Sequence, residues 1–137
     1  MSNKHEPASC CQPSAPCCPA RPPLKERPLL SFVEAVKVMA LFKVLANDTR
    51  LRLLHALVRA DELCVTDLAG SLGMKPQAVS NQLQRLSDLG ILASRRDGNS
   101  IYYRLVDVCV RSLLDQGLCL VEEVSDRSRG RGRACCG

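Results

Sequence analysis

The stretch "CVTDLAGSLGMKPQAVSNQLQRLSDLG", residues 64–90, constrains the fold more than any other part of the chain. It holds two short helical patterns separated by Gly73, Met74 and Lys75. A short helix, a glycine-containing turn and a second helix make a helix-turn-helix. Val79, Leu83, Leu86 and Leu89 recur at steps of four, three and three, which predicts a buried stripe on the second helix. The same spacing turns Gln77, Ser80, Asn81, Gln84 and Arg85 outward. Pro76 suits the first turn of that helix, where its missing amide proton would have had no partner.

The flanks extend the pattern. From Ser31, "SFVEAVKVMALFKVLAN" places Phe32, Val36, Met39 and Leu45 on one stripe, while Val33, Val38, Leu41 and Val44 widen it past a single face. Such a helix needs cover on two sides, which predicts a subunit interface. In "NDTRLRLLHALVRA", Asp48 is the expected N-cap, and Leu51, Leu54, Leu57 and Val58 give the apolar stripe of a second helix. His55 lies on its flank, away from other ligand types. After Gly90, "ILASRRDGNSIYYRLV" alternates Ile101, Tyr103 and Leu105 with Tyr102 and Arg104 around Asp97-Gly98-Asn99, a β hairpin with basic residues near its tip. The last pattern, "DVCVRSLLDQGLCLVEEV", carries Val110, Leu113, Leu114, Leu118, Val121 and Val124 on one broad helical face.

Seven of the eight prolines fall in residues 1–28 together with two Cys-Cys pairs, so that segment reads as a disordered arm unable to bury a core. One domain over 29–124 and a basic, Cys-containing tail over 125–137 complete the expected organisation. Aromatic residues make up only 3% of the chain, which favours a Leu/Val/Ala-rich helical core over an aromatic-rich sandwich. The fold class is therefore mainly α with a small β hairpin (α+β). Nothing resembles a membrane span or a secretory signal, which points to a cytoplasmic protein with no membrane partner.

The formal charge of +5 comes from the arm and the tail, leaving 29–124 neutral. Nucleic-acid contact must then rest on local clustering, and Lys75, Arg85, Arg95, Arg96 and Arg104 supply it.

A helix-turn-helix followed by a two-stranded wing and bracketed by apolar helices is a winged-helix dimer in outline. The residues "ELCVTDLAGSLGMKPQAVSNQLQRLSDLGILASRRDGNSIYYRLVD", with the preceding "LANDTRLRLLHAL", closely resemble the ArsR/SmtB family of metal-responsive bacterial repressors. The likeness covers roughly residues 31–124. Its hallmarks are ELCVxDLA, a V-S-(H/N)-Q-L recognition helix and a G-x-x-(I/V)-Y-Y wing. Lys75 stands where the family commonly has Ser or Thr. The resemblance implies a homodimer joined through the first and last helices, binding double-stranded operator DNA with an inverted repeat and leaving it when a metal binds. Two recognition helices about a two-fold axis would reach successive major grooves. Gln77, Asn81 and Gln84 carry groups suited to base edges. Lys75, Ser80, Arg85, Arg95 and Arg96 suit phosphate contacts.

The nine cysteines point to metal binding or redox sensing in a reducing compartment. In related repressors the ELC cysteine joins thiols of the N-terminal arm. Here that set is Cys64 with Cys10, Cys11, Cys17 and Cys18, and Thr66 stands where a second thiol is common. Four thiolates would take three arm cysteines, and a three-coordinate As(III)-like site would take two. Thiolates favour soft ions such as Cd(II), Pb(II) and As(III), as well as Zn(II).

The family's second, interhelical site resembles D-x-H-x10-H-x2-E. Asp107 and Glu123 match it, Cys109 stands at the first His, Leu120 replaces the second, and Cys119 precedes it by one residue, with Glu122 beside Glu123. Cys109 and Cys119 lie ten residues apart, about 15 Å along a helix, so they can share an ion only across a dimer. Cys135 and Cys136 close the basic tail.

The sequence thus reads as a repressor released by a soft ion, with no organic cofactor. The alternative is a repressor of the same fold that responds to thiol redox or persulfide chemistry, using Cys109 with Cys64 or an arm cysteine. An enzyme is not expected: only His5 and His55 offer imidazole bases, and neither a phosphate loop nor a C-x-x-C occurs.

Overall fold

The computed structural model describes residues 21–128 of the 137. A single 3-10 turn at Leu24–Glu26 precedes α1 (Phe32–Leu45) and α2 (Asp48–Ala60). The strand β1 (Leu63–Cys64) leads into α3 (Val65–Leu72) and α4 (Pro76–Asp88). The hairpin β2 (Leu92–Asp97) and β3 (Ser100–Leu105) is followed by α5 (Val108–Ser128), which runs past Val124.

Local chemistry fixes the helix ends. Ser31 opens α1 with a capping box, its hydroxyl accepting from the Glu34 amide while the Glu34 carboxylate accepts from the Ser31 amide at 2.9 Å. The N-cap of α2 is Asn47, whose Oδ1 accepts from the Arg50 amide at 3.0 Å. Asp48, expected at that position, is the first helical residue and complements the positive end of the helix from there. The two helices α3 and α4 end alike. The Met74 amide reaches the Ala69 carbonyl at 3.0 Å, and the Ile91 amide reaches Leu86 at 3.1 Å. Gly73 and Gly90 make these Schellman closures possible with φ of +63° and +75°, a region that side chains with a Cβ disfavour.

The core gathers one stripe from each element of the helix-turn-helix. Leu53, Leu54, Leu57, Leu68, Val79, Leu83 and Leu86 are completely shielded, with Ile91, Leu92, Tyr103 and Val110 closing the edges. On α2 the stripe is Leu53, Leu54 and Leu57, and Leu51 is turned outward. Leu89, placed on the buried stripe by its spacing, is 53% exposed because α4 has ended at Asp88.

The wing holds three strands where the sequence suggested two. The order is β1-β3-β2, with Leu63 opposite Tyr103 and Cys64 opposite Tyr102. Two residues are too few to announce a strand by alternation, so the pairing partner is what defines β1. Asp97 pairs with Ser100, leaving Gly98-Asn99 as a two-residue loop.

The outer helices remain largely uncovered within one chain. On α1 only Leu45 is buried, while Phe32, Val33, Met39 and Phe42 are exposed. On α5, Leu118, Leu120, Val121 and Val124 are exposed as well. A groove of about 590 Å³ lies between these helices and α2, walled by Phe42, Leu51, Leu54, Leu114, Leu118 and Val121. No described helix is long and apolar enough to cross a membrane.

Candidate nucleic-acid interface and thiol site

The face of α4 opposite its leucine stripe carries Gln77, Asn81, Gln84 and Arg85, all exposed, with Ser80 half-buried. Two ordered pairs run along it. Gln77 Nε2 donates to Asn81 Oδ1 at 3.1 Å, and Gln84 Nε2 donates to Asp88 Oδ1 at 2.9 Å. These i,i+4 bonds hold the amides in fixed positions and leave further donors and acceptors on Gln77 and Asn81 for base edges. Lys75 sits at the N-cap in extended conformation and makes no side-chain cap.

The two wing arginines differ. Arg96 is exposed on β2. Arg95 is engaged inside the chain: its guanidinium donates to both Glu62 oxygens, approaches Asp97 at 3.6 Å and lies 4.6 Å from the centre of the Tyr102 ring. This fork ties β2 to the residue just before β1. The hydrogen bond from Arg95 holds the Glu62 carboxyl below its ordinary value, and the same bond raises Arg95. A phosphate reaching Arg95 therefore competes with a carboxylate already in place.

Cys64 is 8% exposed and serves as the N-cap position of α3. Its thiol donates to Asp67 Oδ2 at 3.1 Å. Although buried, it stands apart from the contiguous apolar core around Leu53, Leu83 and Tyr103. It lines instead a cleft of about 260 Å³ whose other walls are Thr66, Pro76, Gln77, Ser80, Asn99 and Ile101. Cys64 and the recognition-helix residues Gln77 and Ser80 thus border one cleft, with Asn99 and Ile101 of the wing on its rim.

The four arm cysteines, Cys10, Cys11, Cys17 and Cys18, lie outside the described residues, as do Cys135 and Cys136. Among the described residues no three His, Cys, Asp or Glu side chains gather as an ion would require. Cys64 and Asp67 offer two donors, and among the described residues of one chain no third joins them.

On α5, Asp107 is the N-cap, its Oδ1 accepting from the amides of Cys109 at 2.8 Å and Val110 at 3.1 Å. Cys109 is exposed and disulfide-bonded, Cys119 is half-buried, and Glu123 accepts from Arg127 at 3.0 Å. One chain does not bring Asp107, Cys109, Cys119 and Glu123 together, in line with their spacing along the helix.

Sequence reasoning missed Arg50 and Gln82. Arg50 Nε donates to Gln82 Oε1 at 2.7 Å, and its Nη1 donates to the Val44 carbonyl at 2.9 Å. The signal was a cation in the first turn of α2, where the helix dipole disfavours one unless a partner lies outside the helix.

Residues 47–94, which span the helix-turn-helix and enter the wing, match the model of the bacterial regulatory proteins of the arsR family. The cadmium resistance transcriptional regulatory protein CadC of Listeria innocua is 35% identical over 95 residues, covering 69% of this chain and 80% of that protein. The chain belongs to the arsR family of bacterial regulatory proteins. It is a DNA-binding regulator of transcription and not an enzyme. The transcriptional regulator NmtR of Mycobacterium tuberculosis is 43% identical over 84 residues, covering 61% of this chain and 69% of that protein. Among solved structures, the AntR antimony-specific transcriptional repressor is similar at 61% identity and a TM-score of 0.70, over 80% of this chain and 98% of that one. A homodimeric winged helix-turn-helix domain from Mycobacterium bovis is similar at 30% identity and a TM-score of 0.59, over 71% of this chain and 92% of that one.

Proposed function

We propose that the protein is a cytoplasmic, homodimeric repressor that binds inverted-repeat operator DNA and leaves it when a thiophilic ion binds cysteine thiolates. The observation that carries this reading is the shared cleft, which Cys64 lines together with Gln77 and Ser80 of the recognition helix. An ion held there by Cys64 and two or three of Cys10, Cys11, Cys17 and Cys18 draws the arm across that space. The domain over 29–124 then acts as the DNA reader, with 1–28 as the sensing arm and 125–137 as a basic tail.

Gln77, Asn81 and Gln84 read bases, and Lys75, Ser80, Arg85 and Arg96 hold phosphates, with Arg95 joining them once it leaves Glu62. The exposed apolar faces of α1 and α5 support dimerisation, since faces of this kind on a soluble chain mark interaction surfaces. Antimony leads the effectors because the AntR repressor, 61% identical, is described as antimony-specific. Trivalent arsenic shares its three-coordinate thiolate chemistry, and Cd(II), Pb(II) and Zn(II) remain on the same soft-ligand scale. Asp107, Cys109, Cys119 and Glu123 form the second candidate set, completed only once the Cys109 disulfide is reduced and across two antiparallel α5 helices of a dimer.

The test is operator release by Sb(III), As(III), Cd(II), Pb(II) and Zn(II) in the wild type, Cys64→Ser and Cys119→Ser. Cys64→Ser should keep operator affinity and lose the ion response. Retained response in Cys64→Ser with loss in Cys119→Ser moves the sensor to α5. A second reading, a thiol-redox or persulfide-responsive repressor, draws on the disulfide at Cys109. Release by peroxide or polysulfide with indifference to every ion selects it.

A further inference from the structure

We infer that Arg50 is a positioning residue that couples the outer helix α1 to the recognition helix α4. The inference rests on the reading of α4 as the DNA-reading element. The guanidinium spans three segments: it is carried by the first turn of α2, reaches the Val44 carbonyl in the last turn of α1, and meets Gln82 on α4. Its own backbone amide is capped by Asn47, so the stem of the fork is fixed as well as its tips.

Each end of this bridge has a reason to need it. The last carbonyls of α1 lack intrahelical partners, and the Arg50 guanidinium satisfies one of them. Gln82 is half-buried beside Asn81, the residue whose amide faces outward with Gln77. A planar guanidinium donates in two fixed directions at once, so displacing the Val44 carbonyl turns the donor aimed at Gln82. The contact is charge-assisted and partly shielded from water, which makes it sensitive to such a displacement. The rest of α1 is anchored to this chain mainly through Leu45, so a movement of α1 in the assembled protein arrives first at the Val44–Leu45 turn. Arg50 converts that movement into a change in how α4 is held.

The experiment uses the full-length protein with a fragment of its own promoter at several salt concentrations, comparing wild type, Arg50→Lys, Gln82→Leu and the double variant. Lysine keeps the charge but presents a point donor that cannot hold both partners in the fork geometry. Each single variant should weaken operator binding on the order of tenfold, as for a coupling between sites. The double variant should lose no more than either single one. The salt slope should match the wild type, because no phosphate contact is removed. Multiplying losses overturn the inference, as do a shallower slope in Arg50→Lys or a lowered melting midpoint with unchanged affinity. If Arg50→Lys fails to fold, Gln82→Leu tests the same contact from the other side, with unchanged affinity refuting it. A wild type that ignores its promoter defeats the DNA reading itself, a result separate from binding with independent variants.

Discussion

Replacing Lys75 with serine should push stability and DNA affinity in opposite directions. Lys75 occupies the N-cap of α4 with φ of −70° and ψ of 136°, the extended geometry from which a short hydroxyl reaches the first-turn amides, yet its own side chain makes no cap. A serine Oγ there accepts from the amide of Gln77 or Ala78, a contact worth about 1 kcal/mol. Removing a cation from the positive end of the helix dipole adds a further ~0.3–1 kcal/mol. For a domain of this size, 1 kcal/mol raises the melting midpoint on the order of 5 °C. On DNA the same change removes one phosphate contact per protomer, so the log–log salt slope of a dimer should become shallower by roughly 2. Calorimetric melts and fluorescence anisotropy over a salt series measure the two effects. An unchanged or lower midpoint refutes the capping argument, and an unchanged salt slope removes Lys75 from the DNA interface.

Phe42, 51% exposed beside the groove between α1, α2 and α5, gives a second test. Phe42→Asp should weaken self-association at least tenfold in sedimentation equilibrium, because a buried interface charge without a partner is costly; unaltered assembly places the interface elsewhere. Glu62 tests the wing fork. Its carboxyl lies below the ordinary 4.5, so its stabilisation is fully present above that value and fades as pH falls through the lower, folded-state value. Glu62→Gln should flatten the acid limb of the stability profile below the ordinary carboxyl value of 4.5, with Glu34 preserving part of it. Urea midpoints that fall with acid as steeply as in the wild type contradict that assignment.

Legibility in the sequence followed the strength of the periodic signal. The stripe Val79, Leu83 and Leu86 was visible because a surface helix repeats its apolar face every three or four residues, and the Schellman glycines mark where both helices of the motif stop. On α2 the spacing places Leu54 and Leu57 correctly but favours Leu51 where the fold buries Leu53, two residues on, since in "RLRLL" the helix can turn either leucine inward and only packing decides. The strand β1 was invisible because two residues acquire their identity from Tyr102 and Tyr103 across the sheet.

The chemistry divided in the same way. The outward residues of α4 were readable from spacing, whereas the engagement of Arg95 with Glu62 joins residues 33 apart in sequence, and that of Arg50 with Gln82 joins residues 32 apart. Such pairs leave no local pattern. The proximity of Cys64 to Gln77 and Ser80 is likewise a product of the turn at Gly73 and the wing tip at Asn99, and it appears only once the chain is folded.

The most direct test of the account is anisotropy of the reduced protein on its own promoter fragment, at fixed salt, titrated with Sb(III). Tight binding is expected without the ion, with release near one ion per protomer in the wild type and no release in Cys64→Ser. Tight binding that ignores Sb(III), As(III), Cd(II), Pb(II) and Zn(II) alike would contradict it and leave Cys64 as a packing residue.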